Sequence, residues 1–120
     1  MSGKRTVLVV EDEEMLLDAV SMEFEDAGFA VLRAGTAEEA YGLLQEGRAV
    51  DLLFTDIRLP GQLDGWDLAE RARALHPALP VIYVTGYSDE QPRQVSASVL
   101  VMKPYRMVAI VGAARQLGVG

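Results

Sequence analysis

Five short apolar segments recur along this chain of 120 residues, and none of them alternates with polar side chains. Uninterrupted apolar runs are typical of strands that are covered on both faces, as in a parallel sheet. Each run therefore predicts one buried strand. The five predicted strands are Val7–Val10, Ala30–Leu32, Leu52–Phe54, Val81–Val84 and Val99–Met102.

Segments with helical periodicity lie between or after these strands, because their apolar residues recur every three or four positions. Thr36 and Glu39 form a capping-box pattern at the start of the second segment. The apolar stripes are Leu16, Ala19, Val20 and Phe24; Ala40, Tyr41 and Leu44; Leu68, Ala69, Ala72 and Leu75; and Met107, Ile110, Val111 and Ala114. The residues that end these helices are Gly28, Gly47, Pro77 and Gly118.

The segment from Asp89 to Ser98 carries weaker helical signals. Pro92 interrupts it, and Val95 is almost its only large apolar residue. A helix in this segment is therefore predicted to be short and poorly anchored.

Strand and helix alternate five times, which predicts an α/β fold with a doubly wound, five-stranded parallel sheet and helices on both faces. Right-handed crossovers favour the strand order 2-1-3-4-5, the flavodoxin-like arrangement with a short fourth helix. The sequence shows no linker and no internal repeat, so residues 1–120 are predicted to form one domain.

Composition excludes several classes of function. The chain has no cysteine, which removes disulfides, thiolate metal sites and a cysteine nucleophile. The net charge of −7 argues against a nucleic-acid surface, which needs a basic face. No apolar run approaches the roughly 20 residues of a membrane span. We therefore expect a cytoplasmic protein with no nucleic-acid or membrane partner.

Acidic residues directly follow two of the predicted strands. Glu11 and Asp12 follow the first strand, and Asp56 ends the third. In a sheet of this order, the carboxyl ends of these strands flank the point where ligands bind. Two carboxylates about 5 Å apart repel each other by roughly 3 kcal/mol at an effective dielectric constant of 20, so a cluster of three must hold protons or bind a cation. Such hard oxygen ligands suit Mg²⁺, which is the predicted cofactor.

Two more polar residues are predicted at the same edge of the sheet. Thr85 ends the fourth strand and offers a hydroxyl donor, and Lys103 follows the fifth strand, directly before Pro104. Together with the acids they provide a nucleophile, a divalent-ion site and donors that balance charge, which is what phosphoryl transfer requires. Asp56 is the predicted nucleophile, since carboxylates form aspartyl phosphates in other enzymes.

These residues together resemble the receiver domain of bacterial two-component response regulators. The matching segments fall at strand ends, in the family's order, over nearly the whole chain. They are Val7–Glu13, Asp56–Gly61 with Asp64-Gly65, Thr85-Gly86 and Lys103-Pro104. Pro80–Tyr87 is also similar to the Pro-Phe-x-Phe-Ala-Thr-Gly-Tyr motif of an often single-domain receiver subgroup, although Val81 and Val84 depart from that motif.

The resemblance implies a phosphorelay role. Asp56 would accept a phosphoryl group from a phosphohistidine on a sensor or hybrid histidine kinase, or on a histidine phosphotransfer protein. Asp12 would bind Mg²⁺ directly, Glu11 would act mainly through a water molecule, and the backbone carbonyl of Arg58 would be a further ligand. The chain would catalyse only its own phosphorylation and dephosphorylation, and would then switch its binding to an unknown downstream protein.

The resemblance also implies roles for the residues that follow the last two strands. Thr85 would hydrogen-bond the phosphoryl group, and Lys103 would pair with it. The bond between Lys103 and Pro104 would be cis, a form that is rare outside X-Pro bonds.

The sequence departs from the family pattern in two places. Leu100 stands three residues before Lys103, where receivers usually carry a tyrosine or phenylalanine that acts as a rotameric switch. The loop between Asp56 and Asp64 holds one residue more than its commonest form. We therefore expect switching to run through residues 86–98, which would reorder when Thr85 is drawn towards the phosphate.

Two other functions remain open at this stage. An aspartyl-phosphate phosphatase would need a second acid two residues after its nucleophile, but Arg58 occupies that position. A receiver-like binding module that is no longer phosphorylated would not need the full set of site residues, all of which are present.

Ordinary structural roles also remain open for the candidate residues. Glu11 and Asp12 could cap the first helix, and Asp56 could be a turn residue. Thr85 could be a plain strand-end residue and Lys103 a solvated lysine.

Four other residues are of types that often have functional roles. His76 fits a cation at a helix end, and Trp66 fits packing at the start of the third helix. Tyr87 and Tyr105 flank the edge of the sheet and are candidate partner contacts.

Overall fold

The computed structural model describes residues 3–86 and 92–119. Five strands and four helices follow one another in these ranges. They are β1 (Thr6–Val10), α1 (Glu14–Asp26), β2 (Ala30–Ala34), α2 (Ala37–Gln45), β3 (Leu52–Asp56), α3 (Gly65–Leu75), β4 (Val81–Thr85), β5 (Ser98–Met102) and α4 (Met107–Gln116). Each of the five apolar runs is a strand, as predicted.

The strands form one parallel sheet in the order β2-β1-β3-β4-β5, which confirms the predicted topology. Val10 pairs with Thr55, Asp56 pairs with Val84, and Thr85 pairs with Met102. This register aligns the carboxyl ends of β1, β3, β4 and β5 along one edge of the sheet. Residues that end or follow these strands are therefore neighbours in space.

The sheet is covered on both faces, so every residue of β3 and β4 is buried. Side chains alternate between the two faces along each strand. Leu53 and Tyr83 face a cluster that includes α2 and α3, whereas Phe54 and Ile82 face a cluster that includes Phe24 of α1 and Ile110 of α4. Burial on both faces explains why these strands read as continuous apolar runs.

The helix boundaries follow local capping chemistry. The Thr36 hydroxyl accepts a hydrogen bond from the backbone N–H of Glu39, as the capping-box pattern predicted, and the Glu39 carboxylate accepts one from Gly35. At the start of α3, Asp64 and Asp67 cap each other's backbone N–H groups. These caps fix where α2 and α3 begin.

Three members of the predicted apolar stripes do not face the core. Leu16 and Ala19 are exposed on α1, whose buried side consists of Val20, Ser21 and Phe24. Successive helical residues are about 100° apart, so Ala19 lies about 140° around the axis from Phe24. Leu75 is also exposed, because it is the last residue of α3 and lies beside the exposed residues 76–78.

The predicted short fourth helix is not seen in the residues that can be described. Between β4 and β5, residues 92–97 form no helix, and residues 87–91, including Tyr87, lie outside the described residues. Within the described ranges, no helix combines the length and apolar character that crossing a bilayer requires.

Candidate functional site

Four elements deliver the predicted site residues to one edge of the sheet. Asp56 is the last residue of β3, and Thr85 is the last residue of β4. Glu11 follows β1 directly, and Lys103 follows β5 directly. Asp56, Thr85 and Glu11 are all buried, and Lys103 is partly buried. The parallel register brings these residues together from four separate parts of the chain.

Three carboxylates converge at this edge. Ligand oxygens of Glu11, Asp12 and Asp56 lie within 4.8 Å of one another, with Glu11 and Asp56 buried and Asp12 exposed. Burial raises the pKa of Glu11, and the charges of Asp56 and Asp12 raise it further, although the backbone N–H of Glu13 donates to its carboxylate at 3.0 Å. Burial and the neighbouring carboxylates therefore both disfavour the charged form of Glu11.

Lys103 supplies part of the compensating charge. Its Nζ lies 2.7 Å from Oδ2 of Asp56 and 3.7 Å from Oε1 of Glu11. Burial lowers the pKa of Lys103, but the hydrogen bond to Asp56 and the charges of Asp56 and Glu11 outweigh it, so the net shift is upward. The lysine therefore stays protonated against the carboxylates.

The backbone around Lys103 has the geometry that the resemblance implied. The peptide bond between Lys103 and Pro104 is cis. The backbone N–H of Lys103 donates to the carbonyl of Thr85 at 2.8 Å, which ties the lysine to the end of β4. Thr85 and Lys103 are therefore adjacent at this edge of the sheet. The edge formed by Glu11, Asp56, Thr85 and Lys103 is called the rim below.

The donor set fits a divalent cation with a preference for oxygen. Three carboxylate groups and one lysine give this edge a formal charge of −2. Hard oxygen donors at this spacing are the ligands that Mg²⁺ prefers, and the exposed position of Asp12 leaves one side of the cluster open to solvent. Arg58 begins the exposed loop two residues after Asp56, and its carbonyl remains a predicted further ligand.

Gly65 is a residue of this site to which the sequence reasoning gave no physical role. A Cβ at Gly65 would lie 2.2 Å from the backbone oxygen of Asp56, so α3 can pack against the end of β3 only where no side chain intervenes. The backbone N–H of Gly65 also donates to the carbonyl of Ile57 at 2.8 Å. The sequence feature that could have indicated this role is the Asp64-Gly65 pair, which directly precedes the third helical stripe.

Tyr105 and a neighbouring groove flank the site on one side. The ring of Tyr105 packs edge-on against Phe54, with the ring centroids 6.1 Å apart. An open groove of about 830 Å³ runs between α1 and the start of α4, and it reaches the site through Glu11 and Lys103. The exposed Leu16 and Ala19 line this groove. A partner contact at Tyr105 remains a prediction.

Residues 92–97 lie between β4 and β5, beside α3, and polar contacts make up most of what holds them. The guanidinium of Arg93 pairs with Asp67 at 3.0 Å and with Glu70 at 2.8 Å. Arg73 of α3 donates to the backbone carbonyls of Ser96 and Ala97. Two arginine side chains thus join this segment to α3.

The buried hydroxyl of Tyr83 also holds this segment. It accepts a hydrogen bond from the backbone N–H of Val95 at 3.1 Å, and its ring lies 4.7 Å from that of Trp66. Burial raises the pKa of Tyr83. Trp66 packs at the start of α3 as predicted, and its indole N–H has no hydrogen-bond partner in the described part of the chain. Tyr83 was missed because a tyrosine in an apolar run reads only as a strand residue.

Other candidates lie outside this cluster. His76 is exposed and follows the end of α3 that is remote from Gly65, in agreement with a plain helix-end residue. Leu100 lies within β5 and packs against the buried cluster beside α2 and α3. Neither residue takes part in the convergence of charges around Asp56.

The sequence of this chain is similar to those of a known protein family. A family model described as the response regulator receiver domain matches residues 7–115. The C4-dicarboxylate transport transcriptional regulatory protein DctD of Rhizobium meliloti (strain 1021) is 35% identical over 120 residues, covering 97% of this chain and 26% of DctD. Sensor kinase CckA of Brucella abortus (strain 2308) is 33% identical over 91 residues, covering 75% of this chain and 10% of the kinase.

A solved structure agrees over almost the whole fold. The crystal structure of a response regulator receiver protein from Sinorhizobium medicae WSM419 is 32% identical, covers 95% of this chain and 94% of that chain, and superposes with a TM-score of 0.90. The curated relatives DctD and CckA are much longer proteins, since this chain spans only 26% and 10% of their lengths. With its strand order and its family match in agreement, the chain belongs to the family of response regulator receiver domains, whose members act in phosphorelay signal transduction.

Proposed function

We propose that Asp56 is the phosphoryl acceptor of this receiver domain. The donor would be a phosphohistidine on a sensor or hybrid histidine kinase, or on a histidine phosphotransfer protein. The observation that carries the proposal is the position of the Asp56 carboxylate. It is buried at a strand end, 2.7 Å from the ammonium of Lys103 and beside two further carboxylates.

The transfer of the phosphoryl group to Asp56 needs no reactant besides the donor phosphohistidine. A carboxylate oxygen of Asp56 attacks the phosphorus atom, and the new O–P bond forms as the P–N bond to the donor histidine breaks. The electron pair of the broken bond returns to the histidine nitrogen. Lys103, now paired with Asp56, is within reach of the added phosphoryl oxygens, and the Thr85 hydroxyl would donate to one of them.

We further propose Mg²⁺ as the cofactor. Asp12 and Asp56 would hold it directly, Glu11 mainly through water, and Arg58 through its backbone carbonyl. When bound, the ion supplies positive charge that offsets the carboxylates and the phosphoryl oxygens. The spacing of the three acids supports this assignment, because their ligand atoms already lie within 4.8 Å of one another.

Receiver domains are mostly signalling modules, and we propose that this chain catalyses only its own phosphorylation and dephosphorylation. Arg58 stands where an aspartyl-phosphate phosphatase places its general acid, and a guanidinium stays protonated in proteins and so is a poor proton donor to a leaving group. Phosphorylation would alter binding to a downstream protein. The cytoplasmic location and the single domain over residues 1–120 stay predictions.

Intact-mass spectrometry tests the proposal. The chain is incubated with acetyl phosphate, with and without Mg²⁺, and compared with the variant Asp56→Ala. We expect one phosphoryl group on the wild-type chain, dependent on Mg²⁺, and none on the variant. No added mass on the wild type, or equal labelling of Asp56→Ala, would overturn the assignment.

A further inference from the structure

A carboxylate from α2 holds the loop that follows Asp56. Oε2 of Glu38 accepts hydrogen bonds from two consecutive backbone N–H groups of that loop, Gln62 at 2.9 Å and Leu63 at 3.0 Å. Glu38 lies more than twenty positions earlier in the chain, in the first turn of α2. The contact therefore joins α2 to the loop between β3 and α3.

Gly61 completes the binding site of the Glu38 carboxylate. Its φ of +97° lies in the left-handed region that favours glycine, and a Cβ there would come within 2.9 Å of Oε1 of Glu38. The loop backbone thus turns at Gly61 in a way that presents its next two N–H groups to one carboxylate. Paired N–H donors of this kind favour an ionised acceptor.

The charge of Glu38 agrees with that geometry. Hydrogen bonds from its own backbone N–H and from those of Leu63 and Gln62 lower the pKa of Glu38, and the charge of Arg71 lowers it further. The side chain is exposed, so it is an ionised clamp on the surface of the loop rather than part of the core.

The ends of the loop have anchors of their own. The hydrogen bond from the backbone N–H of Gly65 to the carbonyl of Ile57 joins the two ends of the loop, and Asp64 and Asp67 cap α3 where the loop ends. Glu38 holds the stretch between them. A longer loop has more conformations to lose when it is ordered, so this loop, with its additional residue, gains more from a clamp in its middle.

We propose that Glu38 is a positioning residue for the metal site. By fixing Gln62 and Leu63, it sets the path of the loop back to Arg58, whose carbonyl is the proposed further ligand of Mg²⁺. This inference rests on the proposed function, because it assigns Glu38 a role in the same site. Glu38 touches neither the ion nor the phosphoryl group and acts only through the loop.

Three variants separate this role from a general effect on α2. Glu38→Ala removes the clamp, and Glu38→Gln keeps one oxygen acceptor without the charge. Glu39→Ala is the matched control, since Glu39 is the next acid of the same helical turn and its carboxylate instead accepts a hydrogen bond from Gly35 at 2.8 Å. Both alanine variants lose one negative charge at the start of α2.

Two measurements are made on the wild type and on each variant. Amide hydrogen exchange by NMR without metal reports the clamp itself, and a Mg²⁺ titration followed by amide chemical shifts reports the metal site. In Glu38→Ala we expect exchange at Gln62 and Leu63 to be about tenfold faster. We also expect Mg²⁺ to bind about tenfold more weakly. For Glu38→Gln, the exchange rates and the Mg²⁺ affinity should lie between those of Glu38→Ala and the wild type. For Glu39→Ala, both quantities should match those of the wild type.

The outcomes distinguish this inference from the proposed function. Unchanged exchange at Gln62 and Leu63 in Glu38→Ala would overturn the clamp, and faster exchange with unchanged Mg²⁺ affinity would overturn its positioning role. An equal loss of Mg²⁺ affinity in Glu39→Ala would also overturn it. If the wild type binds Mg²⁺ in the expected pattern but takes no phosphoryl group from acetyl phosphate, then the proposed function fails while the role of Glu38 stands.

Discussion

The rim around Asp56 and the segment of residues 92–97 are held in different ways. Asp56 and Thr85 end strands that are buried along their whole length and hydrogen-bonded in the sheet on both sides. Residues 92–97 form neither helix nor strand. Val95 packs against the core, and the other contacts of the segment are polar, including those with Arg73, Arg93 and the hydroxyl of Tyr83.

The energies of these two kinds of contact differ in size. Displacing the end of a buried strand breaks sheet hydrogen bonds and core packing together, whereas exposed ion pairs contribute about 0–1 kcal/mol each. The side chain of Arg93 is 44% exposed, so its pairs with Asp67 and Glu70 belong to the weak class. We therefore expect the rim to be the more rigid region and the segment to be the one that a signal rearranges at low energetic cost.

The largest predicted effect concerns the rigid region. Gly65→Ala places a methyl group 2.2 Å from the backbone oxygen of Asp56, so α3 or the end of β3 must move. We expect the free energy of unfolding to fall by about 3 kcal/mol, measured by urea denaturation. Gly42→Ala in the middle of α2 is the control, because a Cβ there meets no atom within 4 Å, and it should stabilise the chain by about 0.5–1 kcal/mol. Equal effects of the two substitutions would contradict a rigid rim.

An intermediate effect is expected where β4 contacts the segment. Tyr83→Phe keeps the ring against Trp66 but removes the acceptor of the Val95 N–H. We expect the free energy of unfolding to fall by about 1 kcal/mol, with faster amide exchange at Val95. If exchange at Val95 keeps its wild-type rate, then the hydroxyl does not hold the segment and this part of the comparison fails.

The smallest effect on stability is expected within the segment itself. Arg93→Ala removes the pairs with Asp67 and Glu70, and the free energy of unfolding should change by less than about 0.5 kcal/mol, because these side chains are 32–47% exposed and water screens their charges. Amide exchange in residues 93–97 should nevertheless become faster, while that of β3 stays the same. A loss of stability as large as that of Gly65→Ala would show that the segment belongs to the rigid frame.

The convergence of the site was accessible from the sequence because it follows from backbone topology. Parallel strands place their carboxyl ends at one edge, so residues that end or directly follow β1, β3 and β5 must meet there. Glu11, Asp56 and Lys103 could therefore be assigned to one cluster, and their convergence is confirmed.

The supporting contacts were not accessible in this way. Glu38 reaches Gln62, and Arg73 reaches Ala97, across 24 positions in each case, through long side chains whose direction leaves no local pattern. The exposure of Leu16 had a similar cause, since periodicity defines a stripe but not how much of it the sheet covers.

Amide hydrogen exchange with and without Mg²⁺ and beryllofluoride, a mimic of the phosphoryl group on Asp56, tests directly whether the segment moves while the rim stays fixed. We expect changed exchange rates in residues 93–98, with the amides of β1 and β3 unchanged apart from the residues next to Asp56. Bound beryllofluoride with unchanged rates across residues 93–98 would show that the segment does not respond to the phosphoryl group.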